Sequence, residues 1–142
     1  MDPLLLALLS ATNRREYTLE IIEPSLTSSQ NLLISDRYVY SSLAYFYARE
    51  LSVESVVKLN QSILRPHITF YLHLPPITIL ERLQKRDDLN LKYEEKLSFI
   101  EKVYKVLSEI DEQFITIDGT APISLIHHQI RHHINKVCFD YE

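Results

Sequence analysis

The chain contains one glycine, Gly119, in 142 residues, where average usage of about 7% would give on the order of ten. A phosphate cradle of consecutive backbone N–H groups needs two or more glycines. Neither a G-x-x-x-x-G-K loop followed by Ser or Thr nor a dinucleotide-type G-x-G-x-x-G is therefore present in these residues. In other respects the composition is that of an ordinary folded domain. With 46% hydrophobic and 24% charged residues, disorder, collagen-like repeats and a coiled coil are excluded. A chain of this size buries roughly 70% of its unfolded surface, and it has no internal repeat or linker-like tract, so residues 1–142 read as a single domain.

Fifteen Lys and Arg against nineteen Asp and Glu give a net charge of −4. With no long basic run, neither nucleic acid nor an anionic membrane is expected as a partner, and a small ligand is favoured. The lone Cys138 rules out an internal disulfide and a multi-cysteine metal site, and points to a reducing compartment. The apolar run at residues 4–9 is too short to span a bilayer and follows Asp2 rather than a basic segment. A cytoplasmic location is the expectation.

Asp2 as N-cap and Pro3 as first helical residue predict a long helix through Leu8, Arg14, Leu19 and Ile22 towards Pro24. Residues 31–35 form a short apolar run of the buried-strand kind, ending at Asp36-Arg37. Helical spacing resumes over 41–49 and 53–64, the latter capped by Ser52. Residues 67–74 are β-branched and aromatic and stop at Pro75-Pro76, predicting a second strand. Residues 77–86 read as helix, and 87–92 break the pattern with charges. Phe99, Ile100, Val103, Tyr104, Val106, Leu107 and Ile110 then give a broad apolar helix face. Residues 114–118 predict a third strand with Gly119-Thr120 as its turn, and a last helix carries Ile123, Ile126, Ile130, Ile134 and Val137 as its core stripe. Strands separated by helices imply an α/β fold with a parallel sheet, whose ligands sit beyond the carboxyl ends of the strands. There lie Asp36-Arg37, residues 73–76 and residues 118–120.

Asp36-Arg37-Tyr38 is the foremost candidate site, since a carboxylate and a guanidinium at a strand mouth suit a metal ion and a phosphate respectively, while a local ion pair is the structural alternative. The longer string from Ser35 through Asp36-Arg37-Tyr38, Ser41-Ser42 and Ala44-Tyr45 resembles the D-R-Y-x-x-S-x-x-A-Y signature of thymidylate kinases. Upstream, residues 8–14 and 21–26 are similar to the family's arginine-bearing helix and its I-x-P-x-L ending. Downstream, residues 65–72 resemble its P-D-x-T-x-Y-L strand, Arg82 to Arg86 its R-x-x-x-R lid opening, and residues 115–118 its last strand. The resemblance runs in family order from about Leu4 to Ile134. The family's first strand, phosphate loop, first helix and second strand would precede Met1.

The resemblance implies a nucleoside monophosphate kinase fold of the P-loop type, a parallel sheet with helices on both faces and the first two strands missing. It implies transfer of the γ-phosphoryl group of ATP to dTMP with Mg2+ in nucleotide biosynthesis. On it, Arg37 would hold the acceptor phosphate and Asp36 would help place magnesium. Arg14 would read the base edge, Ser42 would lie near the base, and Tyr45 would pack against the deoxyribose where a 2′-hydroxyl would clash. A lid over about residues 82–93 would bring Arg82, Lys85, Arg86 and Lys92 onto the transferring group, with Arg86 the leading candidate among them. The family also implies a homodimer formed through the leucine-rich first helix. Two positions depart from the pattern: Ser10 stands where the family stacks an aromatic ring on thymine, and His67 stands where it carries aspartate.

Without the loop lysine and the loop Ser/Thr, these residues alone are expected to be inactive. The rival reading is a non-catalytic nucleotide-binding remnant, or a dimerisation partner of a complete kinase. A deoxynucleoside kinase is a third reading, opposed by the Asp-Arg-Tyr string. His128 and His132, at i, i+4 beside His127 and His133, read as a solvated helix face rather than a metal site.

Overall fold

The computed structural model describes residues 2–28, 31–86, 95–110 and 114–138. These fall into two compact units, Met1–Pro66 with Glu101–Ser108, and His67–Ile100 with Glu109–Glu142.

The first unit opens with α1, Pro3–Tyr17. The Asp2 carboxylate accepts from the Leu4 and Leu5 amides at 2.6 and 3.1 Å, and Pro3, which has no N–H to satisfy, occupies the first helical position. The helical path continues through a wider π-type turn, Thr18–Ile22, into a short α2, Glu23–Ser25. Helix α3 is Val39–Ala48 and α4 is Val53–Leu59, the latter capped by Ser52, whose Oγ accepts from the Ser55 amide at 3.2 Å. Ala7, Leu43, Phe46 and Val56 form the core of this unit, with Leu6, Tyr40, Leu51 and Leu59 packed on it. At 100° per residue, Ala7, Ala11, Arg14 and Thr18 share one face of the helical run. That face is turned inward, while Leu5, Leu8 and Leu9 around the helix from it, and Leu4 in the first turn, stay 43% to 56% exposed.

Helix α3 ends in a Schellman arrangement: Glu50 lies at φ 70°, its amide donates to the Tyr47 carbonyl at 2.9 Å, and the Leu51 amide donates to Phe46 at 3.0 Å. Leu51 is thereby returned to the core beside Phe46. Helix α4 stops five residues before the predicted end. The Asn60 side-chain Nδ2 donates to the Val56 carbonyl at 2.8 Å, taking the acceptor that its own backbone amide would use in a continued helix, and that amide turns to Val57 instead.

The second unit holds β1, Phe70–His73, and β2, Ile115–Asp118, paired in parallel with Phe70 opposite Ile115 and His73 opposite Asp118. Between them in the chain run α5, Pro76–Gln84, and α6, Leu97–Glu109, most of which belongs to the first unit; α7, Ile123–Cys138, follows β2. The alternation of helix with parallel strand makes this an α/β chain. The predicted strands at 67–74 and 114–118 are thus present in shortened form, and Phe99, Ile100 and Val106 of α6 are buried as the apolar face requires.

Two expectations are corrected. Residues 31–35 form no strand: they carry no ladder among the described residues, and Leu32 and Ile34 are 60% and 80% exposed. An extended apolar segment becomes a strand only when a neighbouring strand satisfies its N–H and C=O groups, and none does here among the described residues. On α7, Ile126, Ile130 and Ile134 are half-buried, but Ile123 is 85% exposed and Val137 46% exposed, so the two ends of the predicted stripe are not core.

The single glycine is buried immediately after β2, with its amide donating to the His73 carbonyl at 2.9 Å. Its φ is not positive, so space rather than conformation demands it: a Cβ there would lie 2.8 Å from Leu74 Cγ and 3.1 Å from the His73 carbonyl oxygen. Gly119→Ala is therefore expected to destabilise the chain by about 1–3 kcal/mol, as overpacking against backbone does. Urea denaturation of the two proteins measures this, and equal midpoints would contradict it.

Candidate functional site

Arg14, Asp36, Arg37, Ser42 and Tyr45 lie in the first unit, where α1 carries a charge inward. Arg14, in the last turn of α1, is half-buried, and its Nη1 donates to Asn60 Oδ1 at 2.6 Å while Nη2 donates to Ser42 Oγ at 2.5 Å. Asn60 is 2% and Ser42 6% exposed. Burial holds the Arg14 pKa below the ordinary arginine value, partly offset by the Tyr38 phenol; the guanidinium stays charged across the physiological range. The Tyr38 ring centroid lies 5.9 Å from Arg14 Cζ. Thr18, fully buried at the start of the π turn, donates its hydroxyl proton to the Arg14 carbonyl at 2.8 Å. With that proton committed, the 3.3 Å contact between Thr18 Oγ1 and the Tyr38 hydroxyl has Tyr38 as donor.

Arg37 lies at the entry to α3 with φ 64°, in the left-handed region that an L-residue occupies only at a cost. The Ser35 hydroxyl donates to the Arg37 carbonyl at 2.9 Å. Its guanidinium is over the Tyr45 ring, 5.2 Å from Cζ to centroid. Arg37 itself is exposed, so its N–H donors remain open to an anion. Ser42 and Tyr45, three residues apart on α3, share one helix face. The structure thus joins Arg14 to Ser42 and Arg37 to Tyr45, and Tyr38, next in sequence to Arg37, stands beside Arg14. Asp36 is exposed and takes part in no hydrogen bond or ion pair among the described residues, so the alternative of a local Asp36-Arg37 pair is not what forms.

A magnesium ion is met by one or two carboxylates, substrate phosphate oxygens and water rather than by an all-protein cage. Asp36 fits that mode as a single solvent-facing carboxylate beside an open guanidinium, and among the described residues no cluster of three or more His, Cys, Asp or Glu could hold a metal by itself.

The remaining candidates lie in the second unit. Arg82, in the last turn of α5, donates from Nη2 to the Gly119 carbonyl at 3.1 Å. Lys85 caps the end of α5, and Arg86 pairs with Glu95 at 2.7 Å. Lys92 and most of the proposed lid lie outside the described residues. At the carboxyl ends of the strands, Asp118 Oδ1 accepts from the Thr120 hydroxyl at 2.6 Å and the Thr120 amide at 2.8 Å. These bonds favour the charged form and hold the Asp118 carboxyl below its usual range.

Reasoning from sequence missed Asn60 and Thr18, and it named Tyr38 beside Asp36-Arg37 without a role for its phenol. The available signal for Asn60 was the polar Asn60-Gln61-Ser62 interruption between Leu59 and Ile63, which marks a helix end but does not say what the amide faces.

The thymidylate kinase family model matches residues 1–130. The probable thymidylate kinase of Thermococcus kodakarensis is 35% identical over 127 residues, covering 87% of this chain and 61% of that protein. The thymidylate kinase of Lactobacillus helveticus is 37% identical, with coverages of 92% and 66%, and that of onion yellows phytoplasma 36%, with 92% and 68%. The chain spans less than two thirds of the length of the first two of these relatives.

The geometry separates the two contributions of residue 37. Arg37→Gly should be more stable than Arg37→Ala by about 1 kcal/mol, because only glycine relieves the left-handed backbone. Both should lose roughly 1.5–3 kcal/mol of affinity for a phosphate monoester with the charge-assisted contact. Chemical denaturation and calorimetry check the two halves, and unchanged binding of the phosphate monoester by both variants would remove Arg37 from the site.

Proposed function

Because the chain belongs to the thymidylate kinase family, we propose that it carries the acceptor half of a dTMP kinase, binding dTMP for phosphorylation by ATP to dTDP in the cytoplasm. The observation that supports this most is the pairing of an inward, desolvated Arg14 held by Ser42 and Asn60 with an exposed Arg37 braced on Tyr45. One guanidinium offers donors to a base carbonyl; the other offers a fork to a phosphate.

In the proposed reaction an oxygen of the dTMP phosphate attacks the γ-phosphorus of ATP, the new P–O bond forms, and the bond to ADP breaks. Phosphoryl transfer asks the protein for positioning and charge stabilisation rather than covalent participation. Arg37 orients the acceptor phosphate and offsets its charge. Asp36 would hold magnesium, which when bound neutralises charge on the phosphates. Tyr45 is proposed to pack against the deoxyribose, where a 2′-hydroxyl would clash. Arg86, released from Glu95, is the lid cation proposed to reach the transferring group.

The donor side is proposed to come from outside these 142 residues, since a single glycine cannot form the N–H cradle. Oriented backbone donors and a cradle lysine account for large rate factors; a single contributor such as an arginine finger supplies about 10³ to 10⁵. A polypeptide of these residues with ATP, magnesium and dTMP is therefore expected to form no dTDP above background. Adding the N-terminal portion of a relative, in cis or as a separate fragment, should restore turnover. Turnover by the chain alone, abolished by Asp36→Asn, would refute the assignment of the donor side. Failure of dTMP to bind at all would favour the rival, a partner without nucleotide.

The proposed homodimer uses the outer face of α1, where Leu4, Leu5, Leu8 and Leu9 stay exposed together. Analytical ultracentrifugation should show a dimer that Leu5→Lys with Leu9→Lys converts to monomer, and a monomeric parent would end this proposal.

A further inference from the structure

Asn60 is 2% exposed, and the proposed chemistry gives it no contact with substrate. Its two amide atoms face opposite kinds of partner. Nδ2 is 2.8 Å from the Val56 carbonyl, which can only accept, and Oδ1 is 2.6 Å from Arg14 Nη1, which can only donate. The amide orientation is therefore fixed by chemistry. The bond to Val56 also ends α4, so the helix terminus and the aim of Oδ1 are one structure.

Arg14 has five N–H donors in a rigid planar fork. Asn60 and Ser42 take one on each terminal nitrogen, and among the described residues the other three have no protein acceptor. Fixing the two ends of a planar group fixes its plane and its remaining edge. That edge presents only donors, so it complements a carbonyl and opposes an amino group.

We propose that Asn60 is a positioning residue, acting through Arg14: its Oδ1 holds the guanidinium edge in the orientation that selects a 4-oxo over a 4-amino pyrimidine monophosphate. This rests on the reading of Arg14 as the base-facing residue. Ser42 alone would leave the fork free to swing about one bond, and an unpaired Nη1 in this buried setting would seek another acceptor. Asn60 therefore acts on selectivity without touching substrate.

Two variants separate this role from a purely structural one. Asn60→Leu and Asn60→Asp both remove the donation to Val56 and carry whatever that bond contributes to the fold. Only Asn60→Leu removes the acceptor for Arg14. In the first arm, nitrogen-15 NMR of the Arg14 side chain is recorded without ligand. Resolved, slowly rotating Nη signals are expected in the parent and in Asn60→Asp, and averaged signals in Asn60→Leu. In the second arm, calorimetry with dTMP and dCMP should show Asn60→Leu losing about ten- to a hundred-fold in dTMP affinity, the range for a bond to a charged group, with the preference over dCMP narrowing. Asn60→Asp should keep most of both. Equal losses in the two variants, or resolved Arg14 signals in Asn60→Leu, would overturn the proposal. If the parent binds neither nucleotide, the functional reading fails while the NMR arm still decides whether Asn60 holds Arg14. Should Asn60→Leu not fold, Asn60→Ser, too short to reach Arg14, takes its place under the same criteria.

Discussion

The half-buried charge of Arg14 is the constraint on which the first unit depends. Moving a cation out of water is unfavourable unless fixed acceptors replace its hydration. Here they come from two other helices, Ser42 on α3 and Asn60 at the end of α4. One guanidinium therefore ties α1, α3 and α4 together at defined points. The helix that carries it has Ala7 and Ala11 on the same inward face, and these small side chains permit the close approach that a 2.5 to 2.6 Å contact from Arg14 requires. Burying the leucines instead would turn the arginine to solvent. The exposed leucine face is thus a consequence of where the charge must go, and it leaves an apolar surface on the opposite side.

Where structure follows from neighbours in sequence, the sequence was legible. Asp2 with Pro3, Ser52, and the Gly119 turn after a β-branched run are all local devices, and each acts as its chemistry dictates. The apolar run at 31–35 was not legible in that way, since Leu32 and Ile34 have the composition of a buried strand but their burial depends on a partner strand rather than on themselves. Asn60 was missed for a related reason. Its two bonds divide between local and distant: Val56 is four residues away and Arg14 is 46. Periodicity reports the first kind of contact and is silent on the second. Ile123 and Val137 show the same limit at helix ends, where a stripe of correct spacing runs past the surface that would cover it.

Part of the candidate site was nonetheless readable. Asp36, Arg37, Ser42 and Tyr45 lie within ten residues, so α3 and the turn before it place them together with little help from the rest of the fold. Arg14 required tertiary structure: its contact with Ser42 across 28 residues ties it to the helix that also carries Tyr45, the ring beneath Arg37.

The scarcity of glycine also has a backbone meaning. Two positions of the described chain adopt positive φ, 64° and 70°, and they are held by Arg37 and Glu50 rather than glycine. At Glu50 the conformation closes α3 with two carbonyl bonds and returns Leu51 to the core, which offsets the cost of order 1 kcal/mol. At Arg37 the compensation is smaller, a Ser35 hydroxyl bond and a ring contact with Tyr45. Glycine would be the more stable choice there, and it would have no guanidinium. The one glycine the chain does carry is spent on space, against Leu74 and the His73 carbonyl, and not on φ. A left-handed arginine with little structural return is the pattern of strain retained where a side chain has work beyond the fold, and it singles out residue 37 independently of any sequence signature.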